Sequence, residues 1–353
     1  RLDRSAIGSE INERVRSILF TPQPQKKQAQ TEKDAYDALF EMVEVPESST
    51  PDAGKIMDRV ISLFTSSKDI YEDIDFGSVT HIISDLDKLL NKQVNEILHH
   101  KEIRRLEAVW RGLKFLIDRT DFRENIQIDI MSIPKDSLVD AFHENIYIPM
   151  YENTLESPIS AVIADYEFDR TAKDIEILMK LSSEAELIQV PIITSIGSEF
   201  FGINYADELN MLPYLGEMLK RSEYVKWNGF RESESSRWIM LAFNRFLLRL
   251  PYGNDNRTKR FNFTETEPIY LWGNPVWGIG SLLTSSFAKI GWATEIVGMR
   301  NGIIPDLPIH PYITKAKEEI YIPLEVYLTI QIHSDLSENG ISALTCRDRK
   351  SVV

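Results

Sequence analysis

The apolar positions of this chain change period along its length, and each change predicts an element. In HHKEIRRLEAVWRGLKFLI (99–117), Ile103, Leu106, Trp110, Leu113 and Ile117 recur at steps of three and four. That spacing predicts an amphipathic helix ending near Thr120, with these five on its buried face and Lys101, Arg104, Arg105 and Lys114 elsewhere. Ile126, Ile128 and Ile130 then alternate with Gln127 and Asp129, the period of a half-buried strand. ISAVIAD (159–165) and VPIIT (190–194) are continuous apolar runs, as strands covered on both faces require. Between them TAKDIEILMKLSSEAELI has a helical pattern, so the three segments predict a βαβ crossover with parallel strands.

Further on, YLWGN (270–274) leads into a helix through GIGSLLTSSFAKI, with Gly291 placed to cap it. WATEIV (292–297) and EVYLTIQI (325–332) read as strands, and DLSEN with Gly340 as a short helix before ISALT. The first hundred residues are polar and helical in pattern. Two linkers, TPQPQKKQAQTE (21–32) and PESSTPD (46–52), flank the thin-striped helices of DAYDALFEMVEV and GKIMDRVISLF. The expected organisation is a helical N-terminal region over 1–75, forming an outer layer, and an α/β core with a mixed sheet and flanking helices over 76–353.

The stretch FRESESSRWIMLAFNRFLLRLPYG (230–253) combines charge with an apolar run. Read as helical, Arg231, Glu234 and Arg237 are three apart and can pair along one face, with Glu232 beside them. The run 239–250 then reads as an enclosed helix from which Arg245 and Arg249 protrude, stopped by Pro251, with Tyr252 next and Gly253 allowing a tight turn. Such charges form either a catalytic cluster or an ionic seam. Without a nucleophile or poised base nearby, the seam is the better reading.

Composition narrows the function. With 54 acidic against 40 basic residues the net charge is −14, which disfavours nucleic acid as a partner. The single cysteine, Cys346, excludes an internal disulfide and suits a reducing compartment. No apolar run reaches the length of a membrane span. The chain begins at Arg1 rather than methionine, so a trimmed natural N-terminus is expected.

Motifs for chemistry are sparse. There is no GxxxxGK[ST] or GxSxG, and Gly278-Ile279-Gly280 does not complete a dinucleotide fingerprint. Among His81, His99, His100, His143, His310 and His333 no metal-ligand spacing occurs, and no cofactor or metal site is expected. Asp165, Glu167 and Asp169 follow a buried strand, where open α/β sheets gather ligands, and could hold Mg²⁺ in a hydrolase or phosphotransferase. The alternative is that Asp165 and Asp169 are turn and cap residues ahead of Thr171. The basic clusters RTKR (257–260) and RDRK (347–350) read as solvated loops or contacts to an acidic protein.

Five blocks, in order, carry a resemblance. LDKLLNKQVNEILHHKEIRRLEAVWRGLKFLI, ADYEFD, FRESESSRW, RFLLRLPYG and YLWGN resemble the large subunit of the bacterial type VI secretion contractile sheath, the TssC/VipB family, without separating out an IglB-like branch. The resemblance implies a non-enzymatic structural protein with a contractile-tail sheath-like core. It implies an obligate small sheath subunit (TssB/VipA), neighbouring sheath subunits, an enclosed Hcp tube, a baseplate and a ClpV-type unfoldase for recycling. It places the protein in the bacterial cytoplasm, docked on a membrane-anchored baseplate. Family members continue beyond the position of RDRK, so a further C-terminal region is expected to be missing here. Trp110 and the run 239–250 are expected to pack the core. Glu107, Arg111, Arg231, Glu232, Glu234 and Arg237 would supply ionic contacts within or between subunits, with Gly112, Asp165, Arg245, Arg249, Pro251, Tyr252, Gly253, Trp272 and Asn274 as further structural or interface candidates.

Overall fold

The computed structural model describes residues 76–155, 157–212, 214–253, 256–258, 263–267, 269–298, 300–348 and 351–352, with side chains from 84 to 346. The expectations for linkers and helices over 1–75 lie outside the described residues, as do Lys259 and Arg260 of RTKR and Arg349 and Lys350 of RDRK. Residues 83–353 form one compact unit.

Two helices open the described chain: α1 (Phe76–His99) and α2 (Lys101–Asp118). The βαβ unit follows as expected: β1 (Val162–Phe168), α3 (Ala172–Ile188) and β2 (Ile192–Ile196), the strands parallel. The hydroxyl of Thr171 caps α3 by accepting from the Asp174 N–H at 3.4 Å. α4 (Val225–Glu232) precedes β3 (Ile239–Phe243), and β4 (Phe246–Arg249) pairs antiparallel with β5 (Leu271–Gly273). α5 (Pro275–Ile290) is closed by Gly291 at φ 74°, where a residue with a Cβ would be strained. A hairpin of β6 (His310–Ile313) and β7 (Glu319–Ile322), then α6 (Ile330–Glu338) and β8 (Ile341–Ala343), complete the unit.

The central sheet runs β1-β2-β3-β8, all parallel. Every residue of β2 is buried, which is why its sequence shows no alternation. Alternation survives in direction instead. Ile192 and Leu241 belong to the hydrophobic cluster beneath α3, α4 and α6, whereas Ile193 and Ala242 belong to the cluster beneath α2 and α5. The α/β class with a sheet between flanking helices is thus as expected, although the central sheet is wholly parallel rather than mixed.

Four local expectations fail, each for a visible reason. The run 239–250 is not a helix but two strands. Asn244 breaks it with φ 76°, and its buried amide donates to the carbonyls of Val326 and Leu344, both at 2.9 Å. EVYLTIQI is not a strand: Ile330–Ile332 start α6, the chain bends at 325–326, and 327–329 lie outside any strand. There the Asn244 and Asn210 side chains bind the backbone of Val326 and Tyr327 in place of a neighbouring strand. WATEIV folds back as a loop around Ser286, whose hydroxyl donates to Trp292 O at 2.7 Å and accepts from Glu295 N–H at 2.9 Å. Ile126 and Ile128 are half-buried beside exposed Gln127 and Asp129, but Ile130 is 65% exposed and among the described residues no strand pairs with this segment.

Candidate functional site

The charged candidates of α2 and the RFLLRLPYG block meet in one place. β4 ends at Arg249, only 6% exposed, and its guanidinium reaches across to α2 and to Glu265. Arg249 Nε donates to Glu107 Oε1 at 2.9 Å, and Nη1 donates to Glu265 Oε1 at 2.6 Å. One turn along α2, Arg111 Nε donates to the same Glu107 oxygen at 2.7 Å, while its Nη2 donates to the Tyr252 hydroxyl at 3.0 Å. The Tyr252 ring lies 4.3 Å from the Arg249 guanidinium carbon, a cation–π contact. Glu265 is wholly buried, and it also accepts from the backbone N–H groups of Tyr252 and Ile269.

Burial works against both charges at this seam, and the partners outweigh it. The carboxylates of Glu107 and Glu265 raise the Arg249 pKa, and the hydrogen bonds from Tyr252 N–H and Arg249 hold Glu265 below its ordinary value. The arrangement can lock α2 to β4 and the following loop; all its carboxylates are engaged by donors. Pro251 and Tyr252 place the chain so that Tyr252 O accepts from Glu265 N–H at 2.9 Å. Gly253, expected to need glycine's freedom, is not among the positive-φ residues, and a Cβ added there would meet Thr264 at an ordinary 3.7 Å.

A second group surrounds Trp277 on α5. Its Nε1 donates to Asp165 Oδ2 at 3.0 Å. A Cβ added to Gly112 would lie 2.3 Å from the indole, so only glycine lets α2 approach here. Asn274 caps α5 by accepting from Val276 N–H at 3.1 Å and donates to Ser195 Oγ on β2 at 2.8 Å. Asp165 is therefore a strand residue, not the turn or cap residue anticipated, and burial pushes its carboxyl above the usual range. Trp272 of β5 packs edge-on to His310, ring centres 5.0 Å apart.

The other candidates separate. The helix ends at Glu232 because Ser233 turns extended, so the Arg231–Glu234–Arg237 ladder does not form. Arg231 Nη2 donates instead to Glu338 O at 2.9 Å, and Arg237 pairs with Glu186 at 3.2 Å. Glu232 and Glu234 are exposed. Arg245 forks onto Glu325 at 2.7 and 2.6 Å, with Glu167 3.9 Å away. The three carboxylates of the Mg²⁺ alternative thus diverge: Asp165 to Trp277, Glu167 towards Arg245, and Asp169 onto the Thr171 N–H at 2.6 Å. The last is the turn role expected of Asp169. Among the described residues no group of three or more His, Cys, Asp or Glu is placed to hold a metal, and no helix is long and apolar enough to cross a membrane.

α2 also overturns an expectation. Of the predicted stripe only Leu113 is buried, and it shares the inner face with Gly112 and Leu116. Trp110, expected in the core, is 63% exposed, with Leu106 at 53%, and Ile103, Val109 and Ile117 are exposed beside them. Glu107 and Arg111 meet Arg249 at the inner face, and the stripe apart from Leu113 lies outwards. Glu265 and Asn244 were missed as structural centres. The signal for Asn244 was an amide inside an otherwise apolar run; Glu265 had none.

A parallel α/β sheet with an outward apolar helix face accords with an assembly protein, and comparison defines the class. Residues 80–353 match the model described as EvpB/VC_A0108, tail sheath N-terminal domain, which makes the class that of the tail-sheath proteins. The chain belongs to the VipB family. It is similar to the type VI secretion system sheath protein TssC1 of Pseudomonas aeruginosa strain PAO1, 29% identical over 288 residues, covering 76% of this chain and 58% of that protein. The chain therefore spans less than two thirds of that relative's length.

Proposed function

We propose that this chain is a structural part of the large subunit of a type VI secretion contractile sheath. It co-assembles with a small sheath subunit of the TssB/VipA kind into a helical tubule around an Hcp tube, docked on a baseplate in the bacterial cytoplasm. A ClpV-type unfoldase recycles the contracted form. Besides family membership, the observation that supports this reading is the exposed stripe Ile103–Leu106–Trp110 on a helix pinned from behind by buried ion pairs. A contiguous apolar face on a chain of net charge −14 fits a surface that assembly covers. Repetition of a heterologous contact without closure gives a filament, and contraction requires two packings of the same subunits.

Co-production of the full-length protein with the small subunit encoded beside it, followed by negative-stain microscopy, tests the reading. Tubules with a cogwheel cross-section are expected. A monodisperse particle indifferent to the small subunit overturns it.

A further inference from the structure

α1 is fastened to the body by its polar side. Asn91 Oδ1 accepts from the Thr264 N–H at 3.3 Å and Asn95 Oδ1 from the Thr266 N–H at 3.1 Å. His99 Nε2 lies 3.6 Å from the buried Glu265 carboxylate. These three residues are four apart and share one face. Three apolar residues of the helix face the other way, Leu86 at 39%, Leu90 at 50% and Ile97 at 47% exposed, while Leu89, Val94 and Leu98 are half-buried.

Their spacing says what kind of surface they make. Leu90 and Ile97 are seven apart, and Leu86 precedes Leu90 by four, the a and d positions of a heptad repeat. Ile83, Val79 and Phe76 extend the register upstream in the sequence, and exposed Gln93 takes the remaining d position. A seam repeating every 3.5 residues matches the knobs and holes of another helix rather than a strand or a small ligand. In this register the charged residues at the flanking e and g positions are Asp87 and Glu96, both acidic, while Lys88 and Lys92 fall at f and c. Interhelical pairs form between such flanks, so the complementary strand is basic there.

We propose that α1 is one strand of a coiled coil completed by a helix of another protein, with a heptad apolar seam and Lys or Arg at its flanks. This names the chemistry of one partner in the assembly proposed above, and rests on that reading only for the source of the helix.

The test uses the full-length protein and a labelled four-heptad peptide with Ile at a, Leu at d and Lys at e and g, beside a twin carrying Glu at e and g. Fluorescence anisotropy is expected to give saturable binding of the Lys peptide and at least about tenfold weaker binding of the Glu peptide. Leu90→Asp with Ile97→Asp loses the Lys peptide by about tenfold or more with an unchanged melting curve. Should that variant not fold, Asp87→Lys with Glu96→Lys serves instead, and its preference reverses to the Glu peptide. No saturable binding of the Lys peptide, or unchanged peptide preference in the charge-reversed variant, overturns the proposal. Co-production with the small subunit separates the two readings. Tubules that form equally well from Leu90→Asp with Ile97→Asp remove the seam and leave the sheath; peptide binding without tubules does the reverse.

Discussion

Gly112 and Trp277 touch so closely that a methyl group on Gly112 would lie 2.3 Å from indole Cδ1. Neither partner has room to yield, because Trp277 is hydrogen-bonded to Asp165 and only 8% exposed. Alanine in a helix interior ordinarily gains about 1 kcal/mol over glycine. Overpacking of this size costs roughly 1–3 kcal/mol and wins. Gly112→Ala should therefore lower the urea midpoint, whereas Gly229→Ala, on α4 with nothing within 4 Å, should raise or preserve it.

The buried seam is expected to be asymmetric to mutation. Arg249→Ala takes from the wholly buried Glu265 its cationic partner, while Glu107 keeps Arg111, at a cost of roughly 3–5 kcal/mol. Glu265→Gln keeps an acceptor for the Tyr252 and Ile269 N–H groups and should cost less. Equilibrium unfolding of the two variants checks the order.

Asn244 closes the gap between β3 and β4. Asn244→Ala leaves the carbonyls of Val326 and Leu344 without donors and keeps φ 76° in a residue that resists it. A loss of roughly 1–3 kcal/mol is expected from the unsatisfied groups alone, while Asn244→Gly recovers only the backbone share. Thermal melts of both variants separate the two contributions.

Burial raises the Asp165 carboxyl above its unfolded value, so the folded chain holds that proton more tightly. The contribution to stability is full below the ordinary aspartate pKa of about 3.9 and is lost as pH rises through the raised folded value. Asp165→Asn keeps an acceptor for Trp277 Nε1 and has no charge to bury. Its stability relative to the parent should therefore increase between pH 4 and pH 7, measured by urea titration at each pH.

Sequence periodicity was a good guide wherever one face of an element meets the core. The βαβ unit, α2 and α5 with its Gly291 cap all follow from it. It failed where side chains bind the backbone in place of a ladder, as Asn244 does at Val326, Asn210 at Tyr327, and Ser286 at Trp292 and Glu295. It also misassigned most of the α2 stripe, because Glu107 and Arg111 turn towards Arg249 and leave Leu106 and Trp110 exposed, with only Leu113 of the five inside. The Glu265 contact joins residues far apart in sequence, so no local spacing announces it.

The outward stripe of α2 gives the most direct test of the sheath reading. The full-length protein, with and without Leu106→Asp and Trp110→Asp together, is co-produced with its small subunit, and the polymer is pelleted by ultracentrifugation. The account predicts that the parent pellets as tubules while the double variant, with the same thermal melt, stays in the supernatant. Equal pelleting of both, or pelleting of neither, would contradict it.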